Sequence, residues 1–249
     1  MAQPAIDATG GSTVYAIFQG TDYKFYSLFL TGGIWSSPGV VGSPNQVYGN
    51  VPPSIAALGD DATVGFIDGA NNNDAAEADY TGSNGTWGAG EDLTGSEDFN
   101  IPATIIPLSA GPELMLVFVD QQNQQVDYML RTGGTWSGVL NVANCLTYDK
   151  VALAPLPDGG AMLAIRGLDA NLYYATWNGT AWSAVTAYPG PTATDFTPAV
   201  AAGVNGDTAE LAYVTAGVAY HASLTGTNWS TAATLGGSGL NGVAIASIP

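Results

Sequence analysis

Along most of this chain apolar and polar residues alternate with a period of two, in runs of five to eight residues that no helical period joins. Short stretches open on proline or an equivalent and continue in small or β-branched residues: "PSIAAL" from Pro53, "PATIIPL" from Pro102, "VALAPL" from Val151 and "PAVAAG" from Pro198. Each is followed by a β-rich run, "TVGFID", "ELMLVFVD", "AMLAIRG" or "AELAYV". After a polar loop comes a third run with aromatic alternation, among them "KFYSLFL", "QVDYML", "LYYATW" and "VAYHASL". Turn signals every 8 to 12 residues without ten-residue amphipathic runs predict short antiparallel strands and an all-β fold.

The pattern is also a repeat. Tryptophan preceded by a turn sequence and followed by small residues recurs in "TGGIWSS" at Trp35, "SNGTWGA" at Trp87, "TGGTWSG" at Trp136, "NGTAWSA" at Trp182 and "TGTNWST" at Trp229, at spacings of 52, 49, 46 and 47 residues. A shift of 147 positions lays "AIFQGTDYKFYS" from Ala16 over "LAIRGLDANLYY" from Leu163, and the same shift carries Trp35 onto Trp182. Units near 47 residues with four short strands each match propeller blades and no helical repeat. The expectation is a single five-bladed β-propeller, four antiparallel strands per blade, with blades at roughly 1–50, 51–99, 100–148, 149–195 and 196–249. Ala, Val and Gly in the opening strands suit the crowded axis of such a ring.

The openings do not divide evenly. Both "QPAIDAT" at the N-terminus and "GVAIASIP" at the C-terminus read as opening strands, six for five sets of the rest. The expectation is that residues 243–248 pair into the first blade and close the ring, removing exposed edges. Residues 1–8 are then displaced or add an outer strand.

Composition narrows the partners. The chain has 249 residues, of which 46% are hydrophobic and 10% charged, a folded rather than disordered composition. Twenty-one Asp and Glu against four Lys and Arg give a formal net charge of −17, which disfavours nucleic acid and anionic membrane surfaces. One cysteine, Cys145, excludes an internal disulfide and a multi-cysteine zinc site. The start "MAQPAIDATGG" has neither a basic leader nor an apolar core, and no apolar run is long enough to span a bilayer. The sequence as written reads as soluble with no visible export signal and no membrane insertion, and it leaves localisation open.

The stretch "RGLDANLYYATWNGTAWSAVTAYPG", residues 166–190, resembles the blade repeat of bacterial and fungal β-propeller lectins. The blade count and repeat length are similar to the tachylectin type, and the wording of the motif to the fucose-binding type. The resemblance implies non-catalytic carbohydrate binding between neighbouring blades, an aromatic ring stacking on the sugar and polar groups taking its hydroxyls. It assigns ligand binding to Arg166, Asp169, Tyr173 and Trp182. At the place of Arg166 the ungapped overlay puts Gln19, Asp68, Asp120 and Tyr213, so five equal fucose sites are not expected. The sequence adds Trp177, which has no tryptophan counterpart; Leu30, Thr81, Arg131 and Leu224 fall at or near its position. The five repeated tryptophans, by contrast, read first as wedges between blades.

Other chemistry is thin. A sialidase needs three arginines for its carboxylate-binding triad, and only Arg131 and Arg166 are present. A glycosidase needs a carboxylate pair, and Glu77, Asp79, Glu91, Glu113 and Glu210 lie at unrelated repeat positions. "DGANNND", residues 68–74, has oxygen donors at alternating positions but lacks the glycine and spacing of a calcium loop. His221 stands alone at the position of Tyr174, and Cys145 reads as a packed thiol. The sequons at Asn84, Asn178 and Asn228 coincide with hairpin turns that favour Asn and Gly for their own reasons. The reading is a lectin for a glycan or small saccharide, monomeric or weakly oligomeric, with no catalytic residue, metal or cofactor. The alternative is a protein-interaction scaffold using an acidic propeller face, and behind it a glycoside hydrolase.

Overall fold

The computed structural model describes residues 3–8, 13–42, 51–69, 73–82, 84–95 and 101–246, and they contain strands and turns but no helix. The strands form five separate antiparallel sheets in chain order. The first sheet runs Ala5–Ala8, Thr13–Gln19 and Phe25–Thr31, with an outer strand in two pieces, Ile34–Trp35 and Gly39–Val40. The second runs Ser54–Leu58, Asp61–Asp68 and Asp74–Thr81, then Thr86–Trp87 and Glu91–Asp92. The third runs Thr104–Pro107, Leu114–Asp120 and Gln125–Thr132, then Thr135–Trp136 and the longer Leu140–Leu146. The fourth has Ala152–Pro155, Ala161–Arg166, Leu172–Trp177 and Thr186–Ala187. The fifth has Ala199–Ala202, Ala209–Thr215, Val218–Thr225, Asn228–Trp229 and Ala233–Gly236.

The broken outer strand explains the Trp-Ser dipeptide. Where the strand kinks away, the serine after the tryptophan keeps the ladder satisfied with both its backbone and its hydroxyl. Ser36, Ser137, Ser183 and Ser230 donate their N–H groups to the carbonyls of Phe29, Leu130, Thr176 and Ser223, each at 2.8 Å. Their hydroxyl oxygens accept the N–H groups of those same four residues at 3.0 to 3.1 Å. In the second sheet Gly88 stands at this place and makes only the backbone bond, to Asp79 at 2.7 Å. The hydroxyl serves a backbone donor that the kink would otherwise strand.

Because side chains alternate across a strand, each sheet has one apolar face toward the sheet before it and one toward the sheet after. Tyr15, Ile17 and Phe25 of the first sheet pack on Val64, Phe66 and Ala76 of the second. Ala56, Ile67 and Ala75 then meet Ile105 and Leu116 of the third. Met115, Val117 and Tyr128 meet Leu163, Ile165 and Trp177 of the fourth. Ala164, Leu172 and Tyr188 meet Leu211, Tyr213 and Ala222 of the fifth. Among the described residues no buried apolar cluster joins the fifth sheet back to the first.

Four of the five repeated tryptophans seat on the preceding sheet, as a wedge role requires. The Trp87 indole N–H donates to Ser27 Oγ at 2.9 Å. Trp182 meets Tyr128 edge-on at 6.1 Å, and Trp229 meets Tyr174 at 5.2 Å. Trp136 packs against the cluster between the second and third sheets. Trp35, in the first sheet, is 46% exposed.

The N-terminal strand corrects one expectation. Ala5–Ala8 is not displaced and not an outer strand: it pairs with the second strand of its own sheet, Ala5 opposite Ile17 and Ala8 opposite Val14, and so opens the meander. Its Asp7 carboxylate accepts the Ala57 N–H of the next sheet at 2.9 Å, which holds it there. Residues 241–246 carry no strand, and residues 247–248 of the expected closing strand lie outside the described residues.

Candidate functional site

Between the third and fourth sheets lies a depression of about 290 Å³, bordered by Asn144 and Leu146 on one side and by Ile165, Leu168, Asp169 and Tyr173 on the other. The first wall exists because Leu140–Leu146 outlasts the outer strands of the other sheets, with Asn144 in the left-handed region at φ 59°. The second is the turn after Arg166. Gly167 is required there: a Cβ at this residue would stand 2.8 Å from the Tyr173 ring. The ring lies over the glycine and its hydroxyl donates to Asp169 Oδ2 at 3.0 Å. Asp169 also accepts the Asn171 N–H at 3.0 Å and the Asn171 side-chain amide at 2.7 Å. These bonds, the Asn171 backbone N–H first, hold the Asp169 carboxyl below its ordinary range, while the bond to Asp169 raises the Tyr173 phenol.

The same clasp occurs in the first sheet, where the Tyr26 hydroxyl donates to Asp22 at 2.9 Å and its ring would meet a Cβ on Gly20 at 2.6 Å. Asp169 and Tyr173 therefore build their turn as well as border the depression. What remains for a ligand is an anionic acceptor edge, the Asn144 amide, and the exposed side chains of Leu146 (37%) and Leu168 (44%). A shallow apolar floor with a few convergent polar groups suits a ligand with one C–H face and several hydroxyls. A second depression, about 510 Å³, lies between the first and second sheets at the other end of the strands, bordered by Phe29, Tyr80, Asp60 and Asp61.

The other expected site residues go elsewhere. Arg166 turns to a central cavity, where its Nε donates to the Thr194 carbonyl at 2.9 Å and its Nη1 meets Asp149 at 3.3 Å. Trp182 is half-buried on Tyr128, with its indole in the seam between sheets three and four. Trp177 corrects the expectation made for it: it is 2% exposed and lies in that seam's core, 5.8 Å from Tyr128 and 5.7 Å from Trp182. It offers no face to a ligand. Ladder register shows why it seemed solitary: its counterparts, each opposite the repeated tryptophan, are Leu30, Tyr80, Arg131 and Leu224. Tyr80, not Thr81, shares its place, and the position is one of core filling.

Register also moves the counterparts of Arg166. Counting from the residue opposite each of those positions gives Gln19, Ile67, Val119 and Val214, where the overlay had Asp68, Asp120 and Tyr213 in the last three. The overlay was one residue off, which in a strand exchanges faces. Arg166 is thus a single charged residue at a position that is otherwise polar or apolar.

Arg131 is the charged exception among the Trp177 counterparts. It crosses to the second sheet and binds Asp79 with both terminal nitrogens, at 2.7 and 2.5 Å, and Thr63 at 3.1 Å. Glu77 lies 3.5 Å away, and burial pushes its carboxyl up to about 7, with the Trp136 indole N–H pulling the other way. This seam holds a carboxylate pair, engaged by a guanidinium. In the fifth sheet His221 Nε2 and Glu210 Oε2 are 2.7 Å apart. Cys145 is fully buried, which raises its thiol to about 12. No group of three metal-ligating side chains occurs among the described residues; of "DGANNND", residues 70–72 lie outside them.

No protein-family model matches the chain, and no curated protein matches it in sequence. Solved structures do resemble it in fold. The SapL1 lectin in complex with α-methyl fucoside aligns over 99% of this chain and 85% of its own, with a TM-score of 0.69 at 15% identity. The fucose-specific lectin from Aleuria aurantia, described as a six-bladed β-propeller, aligns over 93% and 77%, with a TM-score of 0.62 at 16% identity. The NanB sialidase from Streptococcus pneumoniae aligns over 94% of this chain and 61% of its own, with a TM-score of 0.62 at 11% identity. The fold is therefore that of β-propeller proteins, a fold that serves lectins and an enzyme alike.

Proposed function

We propose that the protein is a non-catalytic carbohydrate-binding propeller and that a saccharide occupies the depression between the third and fourth sheets. The observation that carries this reading is the depression itself: a shallow apolar floor of Leu146 and Leu168 beside Asp169, Asn144 and the edge of Tyr173, in a fold shared with fucoside-binding lectins. The pyranose C–H face lies on the leucines, and the hydroxyls donate to Asp169. A glycosidase is disfavoured because Glu77 and Asp79 are engaged with Arg131 in a packed seam, and a sialidase because the chain has two arginines.

Five sheets in chain order also support five blades. On this reading the ring is closed at the axis by the C-terminal segment. Residues 241–245 border the same central cavity as Gln3 of the first blade and Ala199 of the fifth.

A glycan array followed by titration calorimetry tests the function. Binding should be competed by free sugar, persist in EDTA, and weaken about tenfold or more in Leu168→Asp, which charges the floor. Silence across the array would favour the scaffold reading, whose support is the net charge of −17 and the basic partner it would attract. Sugar binding untouched by Leu168→Asp would move the site elsewhere.

A further inference from the structure

The chain has four basic residues, and two of them, Lys150 and Arg166, border one cavity. It measures about 870 Å³ and lies at the centre of the molecule, where Gln3, Pro52, Pro102, Lys150 and Pro198 bring in the starts of all five first strands. In a protein of net charge −17, the gathering of half its cations at one concave place sets that place apart from the surface around it.

The two cations are held differently. Arg166 is anchored by the Thr194 carbonyl and shares a charge with Asp149. Asp195, the other acid on the cavity wall, accepts the Gly217 N–H at 3.0 Å. Lys150 makes no hydrogen bond or ion pair with any described residue. Burial lowers its amine below the ordinary lysine range. A partly desolvated ammonium gains free energy from an anion that reaches it, and the gain is larger away from bulk water.

We propose that the central cavity is a binding site for a small carboxylate-bearing molecule, with the Lys150 ammonium as its counter-ion and Arg166 beside it. Carboxylate is favoured over phosphate by charge: the wall also carries Asp149 and Asp195, so single charges on separate carboxylates meet less repulsion than two charges on one phosphate group. Apolar wall at Val151, Val200 and Ile245 receives the carbon skeleton. The site is separate from the saccharide depression and does not depend on it.

Succinate, with the neutral isostere succinamide as control, tests the proposal by calorimetry on the full chain. Succinate should bind saturably in the millimolar range or tighter, and succinamide about tenfold more weakly or not at all. Lys150→Gln should weaken succinate about tenfold, and Lys150→Arg, which keeps the charge, should retain most of the affinity. Affinity should also fall as pH rises and Lys150 gives up its proton, with Asp149, Asp195 and Arg166 the other charged groups on the cavity wall. Leu146→Ala, on the far wall of the saccharide depression, should leave succinate binding unchanged. Should Lys150→Gln melt early, Lys150→Met supplies the same test of charge. Equal binding of succinate and succinamide, no succinate binding up to about 50 mM, or full affinity without the charge at residue 150 would each overturn the assignment.

Discussion

Arg131 and Asp79 lie in neighbouring sheets and meet in a two-pronged ion pair, with nitrogen to oxygen distances of 2.7 and 2.5 Å. The Arg131 side chain is 15% exposed and the Asp79 side chain 38%. Truncation to alanine leaves Asp79 and the more deeply buried Glu77 without their cation and opens space beside Trp136. Arg131→Ala should destabilise the fold by about 3 kcal/mol, the usual cost of breaking a mostly buried pair. In a chain of this size that is a fall in Tm of roughly 10 °C, read by calorimetry. A shift within 2 °C or so would mean that the seam does not depend on the pair.

The same seam makes stability depend on pH. Burial raises Glu77 from 4.5 to about 7, so between those values the folded protein holds a proton that the unfolded chain has released. A group with a raised folded pKa stabilises below its unfolded value and loses that contribution as pH rises to and through its folded one. Glu77→Gln removes the titration. Relative to the parent, this variant should gain stability from pH 4.5 to pH 8, by up to about 3 kcal/mol. Urea unfolding at both pH values measures the gain, and a constant difference would show that Glu77 titrates at its ordinary value.

Four repeated tryptophans sit half-buried on the preceding sheet and one does not. Trp229 packs edge-on against both Tyr174, at 5.2 Å, and Tyr188, at 5.1 Å. Its replacement by alanine should cost about 3 to 5 kcal/mol through the cavity it leaves. Trp35, 46% exposed, has no such seat, and Trp35→Ala should cost about 1 kcal/mol. Equal losses in denaturant melts would mean that Trp35 is packed in solution as the others are.

What the sequence made legible is what repeats. The recurring turn-and-tryptophan phrase marked the hairpin in every unit, the seated tryptophan in four, and the serine that bonds the kinked strand in all but the second, where Gly88 stands. The shift of 147 residues paired Asp22 and Tyr26 with Asp169 and Tyr173, and the two clasps are alike in the structure. Sliding units without gaps preserves spacing but not the face of the strand, and so Arg166 was matched to Asp68, Asp120 and Tyr213 instead of Ile67, Val119 and Val214. Trp177 misled for a related reason. A core position tolerates Leu30, Tyr80, Leu224 and an ion-paired Arg131, so an unmatched aromatic there signals packing volume and not a ligand. Asn144 and Leu146 carried no local signal, since they border the depression only through contact with a turn more than twenty residues later.

The ring proposed above has two ways of closing, and the C-terminal segment separates them. A strand completing a blade brings a row of ladder hydrogen bonds, and losing it costs several kcal/mol. Residues 241–246 carry no ladder, and of their side chains only Val243 and Ile245 are half-buried, both at the central cavity. Deleting residues 242–249 should therefore cost about 1 to 3 kcal/mol, the worth of two partly buried aliphatic side chains. It should also loosen the seam beside Trp35 without unfolding the four packed seams. Hydrogen exchange reads this directly: protection should fall in Ala5–Ala8 and Ala199–Ala202 and persist in Leu114–Asp120 and Ala161–Arg166. An unchanged melt with unchanged protection would remove the segment from any closing role, whereas a loss above about 5 kcal/mol would give it the standing of a true strand.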